Sequence, residues 1–89
     1  MTFRIQTSAG LKVVIFKLSG KLDIEGVNEL QRLFGIYGQD RKFILDLEDV
    51  GLVNRDALKF LASCKSNGTQ LKNCPVYVRE WILRDGHNG

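Results

Sequence analysis

The sequence is poor in the residues that mark several common classes of protein. It has one proline, two cysteines and one histidine among 89 residues. Cys64 and Cys74 stand without a further cysteine or histidine pattern, so we expect free thiols and neither a disulfide framework nor a metal site. His87, the single histidine, has no second imidazole with which to form a catalytic dyad. We therefore expect no cofactor, no metal and no catalytic residue.

Long hydrophobic runs and blocks of one charge are also missing. No run approaches the ~18 apolar residues of a membrane helix, and the first six residues alternate instead of opening an apolar signal segment. The 13 basic residues are scattered among 10 acidic ones, for a net charge of +3, without the basic run that is typical of nucleic-acid binding. We expect a cytoplasmic protein that neither inserts into a membrane nor binds nucleic acid.

The composition that remains suits one small domain. Hydrophobic residues make up 44% of the chain, enough for a single modest core. We therefore expect one domain over residues 1–89, with residues 85–89 as a flexible tail. Residues 3–8 alternate between apolar and polar, and residues 11–18 are rich in β-formers, so together they predict an N-terminal hairpin. Residues 20–23 then read as a turn.

Helical spacing follows the hairpin. Val27, Leu30, Phe34 and Tyr37 recur every three or four residues, which predicts a helix that is capped by Asp23. The glycines near its end predict that it stops about Gly35.

The stretch from residue 43 to residue 58 reads as strand, connection and helix, and the rest of the chain is organised around it. Phe43 to Leu47 is short and almost continuously apolar, which is typical of a buried parallel strand. After six linking residues, Asn54 can cap a helix that begins near Arg55, with Asp56 in its first turn. Ligands and partners of α/β proteins are met at such junctions, so we expect function here.

The last third of the chain predicts two further elements. Asn67 and Gly68 end the second helix, residues 70–73 form a short fourth strand, and Pro75 opens a third helix. The order β-β-α-β-α-β-α implies an α/β fold, in which about three helices pack on one side of a small mixed sheet of about four strands. Its first strand is antiparallel. We expect Val14, Ile44, Leu45 and Leu61 in the core.

Three positions leave alternatives open. Asp46, inside the apolar strand, is either a buried carboxylate with a raised pKa or a hydrogen-bonded residue near a strand end. Tyr77 and Trp81 on the last helix belong either to the core or to an interface.

Short motifs along the chain occur in a familiar order. Residues 18–23 read Leu-Ser-Gly-Lys-Leu-Asp, residues 44–47 read Ile-Leu-Asp-Leu, and residues 54–58 read Asn-Arg-Asp-Ala-Leu. From Phe3 to Ile82 the chain resembles the STAS domain family, the anti-sigma factor antagonist-like modules of bacteria. The resemblance implies a STAS-like fold and a non-enzymatic protein-interaction module in bacterial regulation.

The resemblance also shows a departure. Phosphorylation-switched members of the family carry serines where this chain has Arg55 and Asp56. Neither residue offers a hydroxyl to a serine kinase, so we expect no phosphorylation at these positions.

The expected partner-binding residues lie at the two strand-to-helix junctions. They are Lys21, Asp23, Glu25, Asn54, Arg55 and Asp56. The alternative is that Asp23 and Asn54 are only helix caps and that the charged residues are simply solvated.

Several functions compete for this pattern. An anti-sigma factor antagonist would bind an anti-sigma factor that resembles a serine kinase. The alternative within the family is a STAS-like component of a phospholipid-transport complex, which would bind a transporter subunit. A small enzyme is disfavoured because no acid/base pair is visible, and a nucleic-acid binder is disfavoured by the mixed charge.

Overall fold

The structure, a computed structural model, describes residues 3–38 and 40–88, and the side chains of residues 85–88 lie outside that description. The elements in chain order are β1 (Arg4–Ala9), β2 (Val13–Leu22), α1 (Ile24–Tyr37), β3 (Lys42–Val53), α2 (Arg55–Ser66), β4 (Gln70–Lys72) and α3 (Val76–Asn88). The sheet order is β1-β2-β3-β4, with β1 antiparallel to β2 and the other pairs parallel. The predicted α/β fold is confirmed.

The core lies between the sheet and the three helices. Val14, Phe16 and Leu18 of β2 are fully buried, as are Leu45 and Leu47 of β3, because alternate side chains of a strand point to the same face. Aromatic rings fill one end of this core: the ring of Phe16 lies 5.5 Å from that of Phe34 and 5.7 Å from that of Phe43, and the last two stack at 4.6 Å.

Phe43 to Leu47 form a parallel strand, as predicted, and four of these five residues are buried, but the prediction that Ile44 belongs to the core is wrong. Ile44 lies opposite Ile15 of β2, and both point away from the helices, so Ile44 is half-buried and outside the core cluster. A short apolar run cannot distinguish a strand covered on both faces from one covered on a single face. The other three expected core residues, Val14, Leu45 and Leu61, are 0% exposed.

Both central strands are longer than the sequence predicted. The turn expected at residues 20–23 continues β2 through residue 22, and the six residues expected as a connection continue β3 through Val53. These extensions pair with each other, Gly20 with Val50 and Leu22 with Val53, across two register shifts. The shifts are β-bulges, which place extra residues in β3 and break the alternation by which a strand is recognised in sequence.

Asp46 stabilises the first of these irregularities. Its Oδ1 accepts hydrogen bonds from the backbone N–H of Glu48 and from Nδ2 of Asn73, both at 3.0 Å. The bond from Asn73 is the main reason that the pKa of Asp46 lies below its usual value, although the residue is only 9% exposed. Asn73 has φ of 55°, a left-handed conformation that asparagine tolerates well. The hydrogen-bonded alternative is thus confirmed and the raised pKa is wrong.

The helix ends differ from prediction at two places. α1 runs past Gly35 to Tyr37, because the Tyr37 ring packs 5.9 Å from Phe16 and the helix then ends at Gly38, whose φ is 77°. α3 includes residues 85–88, where the sequence predicted a tail, and residue 89 lies outside the described residues.

The two aromatic residues of α3 have different surroundings. Trp81 is partly buried against the core, whereas Tyr77 is 48% exposed. The prediction assigned both residues together to the core or to an interface, whereas the structure places Trp81 against the core and leaves Tyr77 largely exposed.

We predict that Leu61→Ala lowers the free energy of unfolding by about 2–5 kcal/mol, because a fully buried side chain leaves a cavity. Ile44→Thr, on the face without helices, should cost less, and chemical denaturation measures both. Equal losses would mean that the two faces of the sheet are buried alike.

Acid should remove part of the stability that Asp46 contributes. Because its folded pKa is lowered, this contribution is complete above the unfolded value of about 3.9 and is lost as the pH falls through the folded pKa. The stability gap between wild type and Asp46→Asn should therefore be smaller at about pH 2 than at about pH 6. Glu80→Gln, which removes an exposed carboxylate from α3, is the control. A gap that stays constant across this range would contradict the assignment.

Candidate partner-binding site

Two strand-to-helix junctions meet at one end of the sheet. β2 ends at Leu22 and leads into α1, and β3 ends at Val53 and leads into α2. Leu22 and Val53 are partners in the sheet, and the backbone N–H of Asn54 donates to the carbonyl of Leu22 at 3.1 Å. This bond places the two helix N-termini side by side.

Each junction is closed by a helix cap. Oδ1 of Asp23 accepts hydrogen bonds from the backbone N–H groups of Glu25 and Gly26, at 3.1 and 3.3 Å. The side-chain oxygen of Asn54 accepts from the N–H of Ala57 at 2.9 Å. Each carbonyl or carboxylate satisfies N–H groups that have no partner within their helix. The caps predicted at Asp23 and Asn54 are therefore confirmed.

Close packing fixes α1 against the sheet at this end. A Cβ on Gly26 would lie 2.9 Å from a methyl carbon of Leu22 and 3.0 Å from the ring of Phe3. Gly26 costs roughly 1 kcal/mol of helix propensity relative to alanine, and the close approach of helix and strand explains why it is there. The orientation of the first turn of α1 is set by this contact.

The structure brings together the residues that the sequence predicted as a site. Lys21, Glu25, Arg55 and Asp56 are exposed, while Asp23 and Asn54 are half-buried by their capping bonds. All six belong to the ends of β2 and β3 or to the starts of α1 and α2. Their role in binding a partner stays a prediction.

Two exposed aliphatic side chains at this end were not predicted. Ile24, the first residue of α1, is 48% exposed, and Leu52, paired with Lys21 in the sheet, is 62% exposed. Leu52 was not predicted because the sequence around it reads as a connection between a strand and a helix. Ile24 was not predicted because it precedes the apolar residues whose spacing indicates α1. We call these two and the six predicted residues the junction face.

The exposure of Arg55 follows from its position. It is the first residue of α2, where the partial positive charge of the helix N-terminus gives a cation no local stabilisation. Asp56 beside it carries the charge that this end favours. Arg55 is exposed, directly after Asn54 and three residues after Leu52 in the chain.

The cysteines do not offer a reactive thiol. Burial raises the pKa of Cys64 to about 12, and burial also raises that of Cys74. Reactive cysteines have lowered pKa values, because the thiolate is the nucleophile. Both thiols are free, as predicted. The described residues contain no group of three or more His, Cys, Asp or Glu that could hold a metal ion. The side chain of His87 lies outside them.

A groove of about 840 Å³ lies at the other end of the molecule. Its lining includes Phe34, Phe43 and Phe60 and the cations Arg41 and Lys42. The C-terminal ends of α1 and α2 form its walls. The groove is therefore separate from the junction face and shares none of its residues.

Comparison with known proteins bears on the fold. No protein-family model and no curated protein sequence matches the chain. The structure is similar to the crystal structure of an antisigma-factor antagonist, a STAS domain from Rhodobacter sphaeroides, with a TM-score of 0.56. The match covers 79% of this chain and 83% of that one. The chain has a STAS-like fold.

The likeness ends at the fold. The two chains are 12% identical in sequence, and a shared fold at this identity does not imply a shared function. None of its helices, within the described residues, has the length and apolar character needed to cross a membrane.

We predict that the caps, and not Arg55, contribute to stability at the junctions. Asn54→Ala should lower the free energy of unfolding by about 0.5–2 kcal/mol, because the N–H of Ala57 loses its acceptor. Arg55→Glu should leave it unchanged or raise it by a few tenths of a kcal/mol, because an anion suits a helix N-terminus. Chemical denaturation compares the two, and a large loss in Arg55→Glu would show that Arg55 makes a structural contact.

Proposed function

We propose that this STAS-like chain is a non-enzymatic interaction module of bacterial cytoplasmic regulation, which binds a protein partner through the junction face. One observation carries the proposal. The hydrogen bond from Asn54 to Leu22 joins two capped helix starts into one surface, on which exposed aliphatic side chains lie among charges of both signs. The likeness to an antisigma-factor antagonist supports the same class of function.

The chemistry of the junction face suits a protein surface. Ile24 and Leu52 are exposed apolar side chains, whose burial against a partner is favourable by about 25 cal/mol per Å². Arginine is enriched among the residues that dominate binding energy, so Arg55 is the polar anchor of this face. Glu25, Asp56 and Lys21 supply charges that orient a partner.

The face is also held in place before binding. Its residues are attached to the ends of paired strands and to capped helix starts rather than to long loops. A surface that is ordered beforehand loses less conformational entropy on binding. The closeness of Gly26 to Leu22 and Phe3 adds to this order.

Regulation by serine phosphorylation does not fit this face. Arg55 and Asp56 occupy the positions where the family resemblance places serines, and the first turn of α2 offers no hydroxyl there. We infer that partner binding is independent of a serine kinase acting at these positions. The partner that the resemblance favours is an anti-sigma factor related to serine kinases, and the alternative is a transporter subunit.

The test is capture of partners on immobilised protein, with identification by mass spectrometry. We expect Arg55→Glu to weaken capture of the partner by about tenfold or more while the protein stays folded, because the change reverses a charge at the interface. Arg79→Glu makes the same charge change on an exposed residue of α3 and should have no effect. Recovery of an anti-sigma factor supports the proposal as stated, and recovery of a transporter subunit supports the alternative.

Leucine variants test the aliphatic part of the junction face separately. We expect Leu52→Ser to weaken binding of the captured partner, measured by titration calorimetry. Leu83→Ser on α3 is the matched control, since the two leucines are 62% and 55% exposed. If Leu83→Ser or Tyr77→Ala abolishes binding and the Leu52 and Arg55 variants do not, the interface lies on α3 and the assignment to the junction face fails.

A further inference from the structure

One face of the sheet has no helix on it. Within residues 3–38 and 40–88 the core lies on the other face, so alternate residues of all four strands point away from it. We call this the open face. The residues that face it are Arg4, Gln6 and Ser8 of β1, Val13, Ile15, Lys17, Ser19 and Lys21 of β2, Lys42, Ile44, Asp46, Asp49 and Leu52 of β3, and Gln70 and Lys72 of β4.

Aliphatic side chains form a strip across one end of the open face. Ile15 and Ile44 are direct partners in the parallel pair, and Val13 lies two residues before Ile15 on the same side of β2. Ile15 is 36% exposed, and Val13 and Ile44 are half-buried; among the described residues, all three lie outside the core and outside the set that packs against it. Leu11, at the hairpin turn where the strip ends, is 94% exposed. We call Val13, Ile15 and Ile44 the aliphatic strip.

The charges around the strip are mainly positive. The cations of the open face are Arg4, Lys17, Lys21, Lys42 and Lys72, and its carboxylates are Asp46 and Asp49. Asp49 is engaged by Lys17 at 3.7 Å, and Asp46 is nearly buried and accepts two hydrogen bonds. Lys42 is the partner of Val13 in the sheet and is exposed, so a cation stands directly beside the strip.

We propose that the open face binds an acidic amphipathic helix of a partner protein, with the aliphatic side of that helix on the strip and its carboxylates on Lys42 and the neighbouring cations. Sheets in α/β proteins bury an apolar face against helices, and here only one face is so covered.

Other occupants fit the open face less well. A second copy of this chain would bring two positively charged faces together, which opposes association. A lipid surface is contacted by apolar side chains that protrude, and beside Leu11 the strip offers few of these, because Val13 and Ile44 are half-buried. The proposal is independent of the junction face, because neither the aliphatic strip nor Lys42 belongs to that face.

The test uses isotope-labelled protein and a designed amphipathic peptide of about five helical turns, with leucine on one side and glutamate on the other. Chemical-shift changes should centre on Val13, Ile15, Lys42 and Ile44. A peptide with lysine in place of glutamate should bind at least about tenfold more weakly. Lys42→Glu should weaken binding of the acidic peptide to a similar degree. Added salt should also weaken this binding, because salt screens interactions between exposed charges.

Control variants separate the open face from other surfaces. Ile15→Thr should weaken binding of the acidic peptide. Ile36→Thr changes an aliphatic residue of α1 that is 62% exposed and should leave this binding unchanged. Arg55→Glu should leave peptide binding unchanged, which keeps this test distinct from that of the junction face. Lys42 is exposed, so its variant answers the question even if Ile15→Thr is unstable.

Three results would overturn the proposal. The first is equal binding of the acidic and basic peptides, and the second is a set of shift changes confined to the helices. The third is binding of vesicles of phosphatidylglycerol and phosphatidylcholine through the strip by a protein that does not bind the acidic peptide, since the occupant would then be a lipid surface.

Discussion

The parallel pairing of β2 with β3 is the interaction on which the rest of the structure depends. It runs from Val13 and Lys42 at one end to Leu22 and Val53 at the other, and the hydrogen bond from Asn54 to Leu22 continues it into the start of α2. Because α1 follows β2 directly and α2 follows β3, this pairing fixes where both helices begin. It therefore positions the core, the junction face and the open face together.

The caps show how one group of residues serves both the fold and the surface. Asp23 and Asn54 use their side-chain oxygens to satisfy backbone N–H groups, and this holds the flanking Ile24 and Arg55 in defined positions. The caps are thus positioning residues, while the neighbours that they hold outward are available for contact. Asp23 and Asn54 can therefore cap their helices while the face binds a partner, because the side-chain oxygens make the caps and the neighbouring exposed side chains are available for contact.

The irregularity of β3 has a comparable role. Two bulges let the strand reach Val53 in register with Leu22, and Asp46 and Asn73 stabilise the first of them from the open face. Asp46, a polar residue in the middle of the open face, thus has a structural role in the strand. The aliphatic strip, by contrast, makes no contribution to the core between sheet and helices.

The sequence by itself determined the order of elements, the mixed four-stranded sheet, both helix caps and the start of α2 at Arg55, because these depend on local spacing and on the chemistry of single side chains. The resemblance to STAS domains anticipated the fold, and the six residues expected at the site do lie at one end of the sheet. Only the tertiary structure decided the face to which Ile44 points, the extension of both central strands and the exposure of Ile24 and Leu52. The burial of a strand residue depends on which face the helices cover, and a bulge is defined by a partner strand distant in the chain, so neither is encoded in local periodicity.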